Sequence, residues 1–211
     1  MLNRKEEVFF DSIPVYINDS LPEGINLRDV LDKIQMSVPE HLAYGVSAVY
    51  IEHLVDFDAR NINAIYKNGS IYVTNNQDNE ADLLDDIVHE IAHSVESTYR
   101  ELVYKDMSIV NEFLGKKKRL LDFLKQEGYN ISAEEYENSN YSRSFDNFLY
   151  KEVGYPLLAS LSEGLFLSPY SITSVREYFA IGFEQFFIKN QNYVKQFCPH
   201  LYKKILEVSN I

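Results

Sequence analysis

Apolar positions fall into short β-branched runs in the first third of the chain and into helical stripes thereafter. Residues 13–18, Ile-Pro-Val-Tyr-Ile-Asn, read as a short strand, and Leu27 to about Ser37 as an amphipathic helix through Leu27, Val30, Leu31 and Ile34, ended by Pro39. Val46 to Leu54 predicts a second strand. Residues 63–67 and 70–75 flank Asn68-Gly69, a two-residue hairpin signal.

After the hairpin, Asn79 is placed to cap a helix, with Asp82 three residues on. Leu83, Leu84, Ile87, Val88, Ile91, Ala92 and Val95 then draw a wide apolar stripe over about five turns. Residues 106–165 are mostly helical in pattern, with breaks at Gly128-Tyr129-Asn130 and Gly154-Tyr155-Pro156. Further helices are expected over 172–189 and from about Asn192 to Val208, interrupted at Pro199. With no repeat and no long Gly/Ser linker, the expectation is one α+β domain over residues 1–211. It comprises a small twisted mixed sheet with a helix packed on it, then a mostly helical second half.

Composition narrows the function classes. At 45% hydrophobic and 25% charged, the chain belongs with folding globular proteins. Cys198 is the single cysteine, which excludes an internal disulfide and any multi-cysteine zinc site. A metal must therefore sit on histidine and carboxylate. The net charge of −12 argues against nucleic acid and suits a cationic peptide better. The one basic run, Lys116-Lys117-Lys118-Arg119, reads as a solvated helix face. No apolar run has the length of a membrane span or a signal peptide. A cytoplasmic monomer with no membrane partner is the expectation, with secretion open to a chain whose leader has been removed.

The chemistry lies in Val88-His89-Glu90-Ile91-Ala92-His93, an H-E-x-x-H pattern inside the strongest predicted helix. Histidines four residues apart project from one face about a turn from each other, so both imidazoles can reach one ion. Glu90 lies beside that ion without needing to bind it, where a carboxylate can take a proton from an activated water and deliver it to a leaving amine. With 5 histidines in the chain, about one such sequence in a hundred would carry the pattern by chance.

A hydrolytic zinc site takes three protein ligands and leaves one position for water. The third must be a carboxylate or one of His41, His53 and His200, since Tyr99 stands where a third histidine of the extended motif would be. Glu177 is the best candidate, because Ser174-Val175-Arg176-Glu177-Tyr178-Phe179-Ala180 is otherwise largely apolar and an unpaired buried charge is costly. Pairing of Glu177 with Arg176 or Lys189 is the bland alternative, and Glu163 is the runner-up ligand. Asp85 and Asp86, a turn before His89, could orient its ring or only favour the helix dipole.

Tyr170-x6-Glu177-Tyr-Phe-Ala, downstream of the H-E-x-x-H helix, resembles the catalytic domain of anthrax lethal factor and the related secreted Pro-Pro endopeptidases, which are gluzincins. The resemblance covers roughly residues 13–100 and 165–190. It implies a zincin-like fold, Zn2+ held by His89, His93 and Glu177, Glu90 as general base and acid, and Tyr170 as the hydroxyl that stabilises the oxyanion. The chain departs from that pattern at Ile181, where an acidic residue is expected; Glu184 could substitute. It departs again in residues 106–165, read as a helical insertion. The implied activity is a toxin-like zinc metalloendopeptidase acting on a peptide or protein. The hairpin strand at 70–75 is read as the cleft-edge strand, which would hold an extended substrate by main-chain hydrogen bonds as an added strand does. The alternative is a zinc-stabilised, catalytically inactive protein-binding module.

Overall fold

A computed structural model describes residues 5–53 and 62–211, so the Leu54 end of the second expected strand lies outside the described residues. Among the described residues there are nine α-helices and a five-stranded mixed sheet, which agrees with the α+β expectation. The chain forms two compact units, Met1–Thr98 and Tyr99–Ile211.

The first unit carries the sheet. Strands β1 (Lys5–Phe9), β2 (Ile13–Ile17), β3 (Ala48–Ile51), β4 (Ala64–Lys67) and β5 (Ser70–Val73) lie in the order β1-β2-β3-β5-β4. β2, β3 and β5 run parallel, while β1 and β4 close the two edges antiparallel. Strand period 2 places Val15, Val49, Ile51, Ile71 and Val73 on one face, all at 0% exposure. Against this core lie helices α1 (Leu27–Ser37) and α2 (Glu80–Thr98), which also pack on each other. Burying each such aliphatic side chain stabilises the fold by about 1.5–3 kcal/mol. The opposite face carries a ladder of in-register tyrosines, Tyr16, Tyr50 and Tyr72, with successive ring centroids 5.2 and 5.0 Å apart.

Two expectations are corrected here. β1 was not foreseen: it shows only Val8 and Phe9 as apolar signal, and it is held by antiparallel pairing with β2 through a turn in which Phe10 and Asp11 take positive φ. The edge of the sheet is β4, not the strand at 70–75. β5 lies between β3 and β4 because the strand that follows α1 pairs in parallel with β5 rather than with its nearer neighbour in sequence. The hairpin itself has Asn68 at φ 53° and Gly69 at φ 79°, the two left-handed positions that a two-residue turn requires.

The second unit consists of helices α3 (Arg100–Tyr104), α4 (Ser108–Gln126), α5 (Arg143–Asn147), α6 (Tyr155–Ser162), α7 (Val175–Ile188), α8 (Gln191–Phe197) and α9 (Pro199–Ser209), with a π-turn over Phe148–Val153. α7 is the central element and packs on α4, α8 and α9. Its Tyr178, Phe179 and Phe183 are fully buried, with Phe113 and Phe166 completing an aromatic cluster around Tyr178.

The basic run on α4 is not a solvated face. Lys118 and Arg119 are exposed, but Lys116 is 9% and Lys117 0% exposed. The Lys117 ammonium reaches Glu135 at 3.1 Å and the Asn138 carbonyl at 2.9 Å, and stands 4.0 Å from the Phe145 ring centroid. Apolar periodicity alone did not anticipate two cations on the inward side, Lys117 paired with a carboxylate and Lys116 held by the Phe197 carbonyl and the Cys198 sulfur. No helix among the described residues is long and apolar enough to cross a membrane.

Candidate metal centre

α2 begins as its sequence dictates: the Asn79 side-chain oxygen accepts from the backbone N–H groups of Ala81 (2.8 Å) and Asp82 (3.0 Å), satisfying donors that the first turn leaves open. Leu83, Ile87, Val88, Ile91, Ala92 and Val95 are all at 0% exposure and hold the helix in the core of its unit. Its chemistry-bearing residues are buried with it, Glu90 at 5%, His93 at 6% and Glu96 at 6% exposure. His89 is half-buried. The two imidazoles meet edge to face, with centroids 4.8 Å apart and planes at 85°.

Buried and half-buried titratable groups on one helix require partners. The Glu90 carboxylate accepts a short hydrogen bond from the backbone N–H of Tyr66 on β4. Lys67 and Ser70 close the two-residue hairpin, so the pair Tyr66 and Ile71 is non-hydrogen-bonded and the Tyr66 amide turns to the open edge of the sheet. Glu90 is thereby tied to that edge. The Tyr66 hydroxyl donates to the Gly45 carbonyl at 2.8 Å, fixing the same strand to the loop before β3.

His93 has a carboxylate at its back. Its Nδ1 lies 3.5 Å from an oxygen of Glu96, both side chains being 8% exposed. A carboxylate on Nδ1 favours the tautomer whose Nε2 is presented to a metal. Glu96 was missed by the sequence reading. The available signal was an acid three residues after the second histidine, on a helix whose inner face is otherwise apolar. Asp86 accepts from the Gln77 side chain at 2.9 Å.

The other candidate ligand belongs to α7. Ser174 caps this helix, its hydroxyl accepting from the Glu177 N–H at 3.1 Å, and the Val175 N–H donates to the Ser139 carbonyl at 2.8 Å. Just upstream, Tyr170 opens a 3-10 turn in which the Thr173 hydroxyl donates to the Tyr170 carbonyl at 2.8 Å. Tyr170 retains 38% exposure as a residue. Desolvation of its phenol, followed by the negative charges of Glu177 and Asp146, pushes its pKa well above the usual tyrosine value. It is therefore held as an O–H donor.

His89, His93 and Glu177 each offer one ligand atom, and these atoms lie within 4.8 Å of one another, close enough to bind a metal ion. Two imidazoles and one carboxylate form a donor set suited to divalent first-row metals and leave a tetrahedral position open. Among the described residues, His41, His53, His200, Cys198 and Glu163 join no such group. The backbone N–H of His200 donates to Glu112, and that of His53 to Asp19. Glu184, 8% exposed, lies 3.5 Å from the Lys189 ammonium. No family model, no curated protein and no solved structure matches the chain.

Proposed function

We propose that the protein is a zinc-dependent endopeptidase of the gluzincin type, with His89, His93 and Glu177 as metal ligands. The observation that carries this reading is the donor set itself: the two histidines of an H-E-x-x-H helix and a carboxylate more than eighty residues later have ligand atoms within 4.8 Å of one another. Bound zinc supplies Lewis acidity, lowering the pKa of water and polarising a carbonyl. Glu90, buried and anchored by the Tyr66 N–H, removes the proton from the attacking water and passes it to the departing amine. Tyr170, kept protonated, donates to the oxygen on which negative charge develops. An extended peptide would add to the edge of β4 through the backbone groups of Ala64 and the Tyr66 carbonyl, which face away from β5, the Tyr66 N–H being taken by Glu90.

The test is cleavage of a peptide library by the metal-loaded protein, with and without phenanthroline, beside the Glu90→Gln variant. Chelator-sensitive cleavage that Glu90→Gln abolishes while retaining its metal supports the reading. Metal binding without cleavage refutes it and favours the zinc-stabilised binding module instead.

A further inference from the structure

The second unit contains a lysine and a cysteine in direct contact that the proposed hydrolysis does not use. Cys198 is fully buried at the junction of α8 and α9. The ammonium of Lys116, from the middle of α4, lies 3.0 Å from its Sγ. Three further contacts hold that ammonium in place: it donates to the Phe197 carbonyl at 2.7 Å and stands over the rings of Tyr178 (5.1 Å) and Phe166 (5.9 Å). Glu112, one helical turn before Lys116, accepts from the Tyr178 hydroxyl at 2.9 Å and from the His200 and Leu201 N–H groups at 2.9 and 3.2 Å. The nitrogen and the sulfur are thus confined side by side inside a packed core, with no rotamer change needed to bring them together.

We infer that Lys116 and Cys198 are a site of oxidative covalent modification, in which one oxygen atom bridges the lysine nitrogen and the cysteine sulfur. Two atoms already 3.0 Å apart need approach by only a few tenths of an ångström to share one oxygen. A direct sulfur–nitrogen bond would need much more movement in a close-packed interior. With dioxygen as the oxidant the step balances. The S–H bond and two N–H bonds of the ammonium break, S–O and O–N bonds form, and the O–O bond is cleaved. One oxygen stays in the bridge, the other leaves as water, and one proton is released to solvent. Sulfur and nitrogen each give up two electrons, and dioxygen takes all four. Burial pushes the Cys198 thiol up while the Lys116 charge pulls it back.

The bridge would cross-link chain positions 82 residues apart and lock α4 to the start of α9, beside the helix that carries Glu177. Its formation does not depend on the metal or on peptidase activity.

The experiment compares intact masses of the full chain kept in dithiothreitol and the full chain held in air-saturated buffer, followed by tryptic mapping. The expected result is a species that has gained one oxygen and lost two hydrogens. Its peptides containing residues 116 and 198 are joined, trypsin no longer cuts after Lys116, and dithiothreitol reverses all three changes. Lys116→Arg keeps the positive charge but should not form the joined peptide, and neither should Cys198→Ser. An unchanged mass after prolonged aeration overturns the inference. So does oxygen addition without a joined peptide, or a joined peptide lighter by two hydrogens alone. The wild-type measurement requires no variant to fold.

Discussion

Replacing Glu96 with glutamine should weaken metal binding about tenfold without unfolding the chain. The carboxylate stands 3.5 Å from Nδ1 of His93, with both side chains 8% exposed, so water does little to replace it. Loss of such a carboxylate partner typically costs 10–100-fold in metal affinity. A contact of 3.5 Å is long for a hydrogen bond, which puts the effect at the low end of that range, about 1.4 kcal/mol. Glutamine keeps the shape and an acceptor oxygen and removes only the charge. The assay is a competition titration of zinc against a chromogenic chelator, with thermal unfolding of the metal-free protein as the control for folding. An affinity within twofold of wild type, in a protein that melts normally, would refute the assignment of Glu96 as the group that positions His93.

Other consequences can be checked directly. Glu90→Gln should keep its metal and lose peptidase turnover, and full residual turnover would remove Glu90 as the base. Tyr170→Phe should lower kcat by about 10²–10³, the usual loss for one oxyanion donor, with little change in metal affinity; an unchanged rate takes Tyr170 out of the site. Lys117→Met should destabilise the fold by about 1–3 kcal/mol in urea unfolding, because it strands the Glu135 carboxylate and the Asn138 carbonyl; a neutral effect would show that the ammonium is dispensable. A Cβ at Gly45 would stand 2.3 Å from the Ser94 hydroxyl and 2.6 Å from that of Thr98, so Gly45→Ala should cost about 1–3 kcal/mol by forcing the loop off α2; a stability equal to wild type contradicts that close approach.

Much of the architecture was legible because local rules and tertiary packing agree. Asn79 caps the helix that the apolar stripe predicts, Asn68-Gly69 makes the expected turn, and α7, α8 and α9 follow the expected pattern with a break near Pro199. The errors fall where distant parts of the chain decide. β1 exists through its pairing with β2, and the sheet order that puts β4 at the edge follows from the parallel pairing of β3 with β5. Lys116 and Lys117 look like surface charge until Phe197, Cys198, Glu135 and Asn138 are seen around them. The histidine pair could be read from spacing alone, because helix geometry fixes it. Glu177 could be named as an unusual carboxylate on an apolar helix and from the Tyr170-x6-Glu177 resemblance, since no spacing rule brings residues 93 and 177 together.

Metal content per chain, measured for the wild type and for Glu177→Ala and Glu163→Ala, tests the central claim most directly. The wild type and Glu163→Ala should each retain one zinc per chain through dialysis, and Glu177→Ala should lose it. A Glu177→Ala protein that holds one equivalent with wild-type affinity would contradict the centre described here.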